Sequence, residues 1–102
     1  FSYVEGQPYP YLCDYARRKL LAATYVGELN LGPNVYAFVF ETKEGKVFVL
    51  AWYNGDGEVT VDLEAAGVLR GKVKVTTPLG VSSEAQASKV TLTEMPVFIE
   101  EE

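Results

Sequence analysis

The 102-residue sequence predicts a mainly β fold: an antiparallel β-sandwich, Greek-key-like with about seven strands, preceded by one N-terminal helix. Three observations carry that expectation. Short segments of alternating apolar and polar residues recur through the second half, each bounded by Gly, Pro or Asn turn signals. Two longer apolar runs, residues 35–42 and 46–53, flank the three-residue loop Lys43-Glu44-Gly45. A helical period occurs only over residues 11–23.

Residues 1–10 hold Gly6, Pro8 and Pro10 among aromatics and show no period. Residues 11–23 contain strong helix formers and neither Gly nor Pro. Leu12, Tyr15, Ala16, Lys19, Leu20 and Ala23 recur at spacings of three and four, with Pro10 suited to the helix start. The expected organisation is therefore a junction over residues 1–24 and a sandwich domain over residues 25–102. Residues 25–31 read as a short strand closed by the turn Gly32-Pro33-Asn34.

In a three-residue hairpin loop the last residue adopts a left-handed conformation, which glycine meets without steric cost. Gly45 stands there, so Thr42 should pair with Lys46. Counting back, Phe40 pairs with Phe48, Phe38 with Leu50, and Tyr36 with Trp52. Those six large side chains share one face, expected to be the inside of the sandwich. Val35, Ala37, Val39, Val47, Val49 and Ala51 make the other, small-residue face. Left bare, that face would be a patch of interface size. Leu12, Tyr15, Ala16 and Leu20 of the helix are expected to cover it at Val39 and Val49. A neighbouring domain or protomer would supply any remainder.

Further strands are expected over residues 58–63, 72–77, 89–93 and 96–100, with turns at Asn54-Gly55-Asp56-Gly57, at 65–67 and at Pro78-Leu79-Gly80. Pro96 belongs at a strand start, where no ladder donor is lost. Residues 82–88 read as a polar loop, and Glu100-Glu101-Glu102 as a solvated tail.

Residue chemistry narrows the function. Nine basic against 14 acidic side chains, a net charge of −5 and a pI near 4.7 do not suit a phosphate-tracking surface, so nucleic acid is not an expected partner. Arg17-Arg18-Lys19 reads as a solvated helix turn. No run approaches the roughly 20 apolar residues that span a bilayer, so no membrane is expected either. Histidine is absent, and Cys13 is the single cysteine, with no base beside it and no disulfide partner. Asn54, Asp56 and Glu58 form too short a loop for an EF-hand calcium site. Glycoside hydrolysis needs two carboxyls about 5–10 Å apart, one with a raised pKa. Here Glu41, Glu44, Asp56, Glu58 and Asp62 fall on outward positions or turns. No catalytic residue, metal ligand or cofactor is expected. Tyr53, at a strand end, is the candidate carbohydrate contact. Tyr3, Tyr9 and Tyr11 suit a neighbouring domain or a ligand equally. The chain begins at Phe1, not Met, and is expected to be a piece of a longer polypeptide.

Residues 25–40, from Tyr25-Val26-Gly27-Glu28 through Phe38-Val39-Phe40, resemble the junction in many glycoside hydrolases where the last helix of a (β/α)8 barrel leads into a C-terminal β-sandwich. Val49-Leu50-Ala51-Trp52 is similar to that domain's second long strand. Leu92-Thr93-Glu94-Met95-Pro96-Val97-Phe98-Ile99 is similar to its closing strand. The resemblance covers nearly the whole chain and implies a non-catalytic accessory domain that packs on a catalytic barrel of the same parent chain. The family's catalytic acids lie in that barrel and have no counterpart here. Two other readings stand beside it, a carbohydrate-binding module and a free-standing domain that self-associates.

Overall fold

The computed structural model describes residues 18–102. Residues 18–21 are helical, and eight strands follow among the described residues: β1 (Ala23–Leu29), β2 (Val35–Thr42), β3 (Val47–Tyr53), β4 (Val59–Val61), β5 (Lys72–Thr76), β6 (Ser82–Gln86), β7 (Val90–Leu92) and β8 (Val97–Glu101). They form a six-stranded antiparallel sheet in the order β1-β2-β3-β8-β5-β6 and a two-stranded sheet of β4 and β7. The chain leaves the large sheet after β3 and again after β6, and returns to place β8 between β3 and β5. The fold is a β-sandwich.

The central hairpin forms in the predicted register. Tyr36 faces Trp52, Phe38 faces Leu50 and Phe40 faces Phe48. Gly45 has φ 83°, and its N–H donates to the Thr42 carbonyl, while the Thr42 N–H donates to the Lys46 carbonyl at 2.7 Å. The segregation of large from small side chains across β2 and β3 is therefore real.

Which face becomes the interior is the reverse of the expectation. Val35, Ala37, Val39, Val49 and Ala51 are buried and pack with Val73 of β5 and Ile99 of β8. Opposite them stand Val61 of β4, Leu63, Leu69, Val90 and Leu92 of β7. The second sheet, not the helix, covers Val39 and Val49. Small side chains on one layer let leucines from the other interdigitate at sandwich spacing. The large set lies on the outer face of the six-stranded sheet. There Phe48, Leu50 and Phe98 make a separate buried cluster, flanked by Phe40, Trp52, Ala23 and Leu20. Leu20 is thus on the opposite side of the sheet from Val39 and Val49. Leu12, Tyr15 and Ala16 lie outside the described residues.

Four local features also differ from the expectation. The expected helix over 11–23 ends at residue 21, because Ala23 is already drawn into the ladder opposite Thr42. The sheet therefore begins two residues before the expected domain start at 25. Residues 82–86 are a strand where a loop was expected. After the turn closed by Gly80, Ser82–Gln86 pairs with Lys72–Thr76 as an edge strand, and its polar side chains are exposed to water. Finally, β1 carries a bulge. Tyr25 faces Phe40 and Gly27 faces Val39, leaving Val26 extra and exposed. That one residue keeps Tyr25 and Glu28 on the outer face yet returns Leu29 to the inner core.

Candidate functional site: the outer aromatic face

Strand pairing places Tyr25, Tyr36, Phe38, Phe40, Phe48, Trp52 and Phe98 on one face, because directly opposed residues of an antiparallel ladder point the same way. They form a connected set of rings. Tyr25 meets Phe40 edge-on at 5.6 Å, and Tyr36 stacks on Trp52 at 5.4 Å with 23° between planes. Phe38 leans on Trp52 at 5.6 Å. Phe40 stacks on Phe48 at 5.3 Å, and Phe48 meets Phe98 at 5.8 Å.

The two ends of this set differ. At the Phe48 end, Phe48 and Phe98 are each 1% exposed, under Leu20 and Lys19 of the helical turn. At the Trp52 end, Phe38 and Trp52 are half-buried, and Tyr36 and Tyr25 are 37% and 55% exposed. Trp52, expected inside, sits here because its strand partners point outward. Its ring has Tyr36 stacked on it and Phe38 against it. A sugar ring seeks a free, flat aromatic face, and these cross-strand contacts take up part of what Trp52 could offer.

Tyr53 points to the other side of β3. It is half-buried against the inner core, and its backbone N–H donates to the Thr93 carbonyl at 2.7 Å. Its ring reaches over the following turn: a Cβ on Gly55 would fall 2.5 Å from Tyr53 Cζ and 2.6 Å from the hydroxyl oxygen. Tyr53 and the Tyr36–Trp52 stack are therefore on opposite faces and do not combine into one platform. Gly55→Ala is expected to destabilise the fold by about 1–3 kcal/mol through overpacking, since φ at Gly55 is not in the left-handed region. Urea unfolding of a double-mutant cycle checks this, with most of the cost disappearing when Tyr53→Ala is already present.

A polar cluster borders the buried end. Glu100, expected in a solvated tail, lies inside β8 opposite Phe48 and is half-buried. Its Oε2 accepts from Lys19 Nζ at 2.9 Å and its Oε1 pairs with Lys74 Nζ at 3.2 Å. Lys19, expected in a solvated turn, is also half-buried, with Nζ 4.9 Å from the Phe48 ring centroid. Desolvation pushes the Glu100 carboxyl upward, but the hydrogen bonds and charges of Lys19 and Lys74 outweigh it, so its pKa falls below that of a free glutamate. The general acid of a glycosidase needs the opposite direction. Because the folded-state value is the lower one, this pairing contributes fully at neutral pH and is lost as pH falls through that lowered value. An NMR titration of the Glu100 carboxyl is expected to give a midpoint below that of a free glutamate, and Glu100→Gln should flatten the acid dependence of unfolding.

Sequence reasoning missed Glu100, Lys74 and Tyr25 as parts of this face. Glu100 and Lys19 are 81 residues apart, and only the β3–β8 and β5–β8 pairings bring the cluster together. No local pattern signals that. Among the described residues, no three His, Cys, Asp or Glu side chains gather as a metal site, and no helix is long and apolar enough to cross a membrane. In comparisons with known proteins, no family model, no curated protein and no solved structure matches this chain.

Proposed function

We propose that the chain is a non-catalytic accessory β-sandwich domain of a glycoside hydrolase, stabilising or shaping a catalytic barrel against which its outer aromatic face packs. One observation supports this above the rest. The small-residue centre of the inner face is buried under the second sheet, whereas the outer face, on which the helical turn also lies, keeps Tyr25, Tyr36, Phe38 and Trp52 partly open. A patch of large apolar side chains on the face that the helical turn also lies against suits a docked neighbouring domain. The resemblance of residues 25–40, 49–52 and 92–99 to such C-terminal domains adds the sugar-enzyme context. The role is mechanical, and no residue here cleaves a bond.

The test is made on the parent polypeptide. Its reading frame upstream of Phe1 is expected to encode a barrel with two carboxyls placed for glycoside hydrolysis. Trp52→Asp should then shorten the enzyme's half-life at raised temperature several-fold while kcat is retained. A frame without a barrel, or an unchanged half-life, overturns the reading. Trp52 is the sole tryptophan, so its fluorescence reports this face directly. Saturable glycan binding by the chain alone would instead favour a carbohydrate-binding module. Sedimentation that depends on concentration would favour a self-associating domain.

A further inference from the structure

The helical turn is fastened to the sheet at two points. At one, Ala23 enters the β1–β2 ladder opposite Thr42. At the other, Lys19 reaches Glu100 of β8 and lies over the Phe48 and Phe98 rings, with Nζ 4.9 and 6.0 Å from their centroids. Between them Leu20 packs into the Phe48–Phe98 cluster, and Leu21 points away, 79% exposed. The Ala22 N–H donates to the Arg18 carbonyl at 3.2 Å and closes the turn. Glu100 is shared: its second oxygen holds Lys74 of β5.

We propose that Glu100 is the catch of an ionic latch that fixes how the helical turn ahead of β1, residues 18–22, lies on the outer face. This goes beyond the accessory-domain reading and does not depend on it. One carboxylate between two ammonium groups does more than attract Lys19, because it also screens Lys19 from Lys74. Removing its charge leaves two like charges side by side, Lys19 half-buried and Lys74 exposed, and the movable one is Lys19. The turn then swings at Ala22, while β1 stays paired. Lys74 thus acts in two senses: it orients the carboxylate when the latch is shut and repels Lys19 when the charge is gone.

Amide hydrogen exchange of the 102-residue chain at neutral pH tests this. Glu100→Gln is expected to speed exchange of the Ala22 amide about three- to tenfold, the scale of an ordinary net hydrogen bond or a partly exposed ion pair, with the core amides of Val49 and Ile99 unchanged. Adding Lys74→Met to Glu100→Gln should slow the Ala22 amide again, because it removes the repulsion. Lys19→Met, which keeps the stem over Phe48 but not the charge, should speed Ala22 exchange on its own and serves if Glu100→Gln folds poorly. An unchanged Ala22 rate, an acceleration shared equally by Val49 and Ile99, or no slowing on adding Lys74→Met overturns the latch.

Discussion

Truncating Leu92 to alanine is expected to lower the unfolding free energy by about 2–5 kcal/mol, the range for a fully buried leucine whose site cannot collapse. Leu92 is 0% exposed and belongs to the two-stranded sheet of β4 and β7, which covers the small-residue face of β2 and β3. That sheet pairs over only three residue pairs, Val59–Leu92, Thr60–Thr91 and Val61–Val90. Its attachment to the large sheet therefore rests chiefly on side chains, and Leu92, Leu63, Leu69 and Val90 are the ones that fill the gap left by Ala37 and Ala51. A domain of this size has roughly 5–15 kcal/mol in total, so the variant would stand close to its unfolding threshold. Urea unfolding measures it, with the midpoint lowered and the slope retained. A cost under about 1 kcal/mol would mean that the second sheet does not hold the interior.

The hairpin register was readable because it rests on local chemistry: a glycine where the loop turns left-handed, and an alternation that a one-residue slip would scramble. The choice of interior face was not readable in the same way. Both faces of β2 and β3 are apolar, so burial preference alone does not separate them. What decides is shape, since Ala37, Ala51 and the valines admit Leu63 and Leu92 from β4–β7 whereas rings of phenylalanine size would not. That depends on partners 12 to 57 residues away. Strand β6 was hidden for a related reason. Ser82, Ser83, Glu84 and Gln86 have no apolar alternation, and they become a strand because β5 offers them a free edge. Tyr53 could be assigned its face from the register, but its contact with Gly55 required the path of the turn. The latch needed the order of strands in the sheet, which puts β8 between β3 and β5.

Phe98→Ala is expected to cost about 3–5 kcal/mol, as for other fully buried aromatics, although Phe98 lies on the outer face and outside the sandwich interior. Its ring meets Phe48 at 5.8 Å, lies beneath Lys19 Nζ and shares a cluster with Leu50 and Leu20. Its loss opens a cavity under the helical turn that β8, hydrogen-bonded on both sides, cannot move to fill. Trp52→Ala should cost clearly less in the chain alone, although tryptophan is the larger residue, because Trp52 is only half-buried and water already reaches part of its surface. Denaturant unfolding of the two variants side by side gives the comparison. The inequality is the physical signature of a face finished at one end and open at the other. If a docked domain covers the open end, the order should narrow in the parent polypeptide, where Trp52 loses its contact with water while Phe98 has no more surface to bury. Equal costs in the isolated chain would mean that the Tyr36–Trp52 stack is complete as it stands and that this face needs no partner.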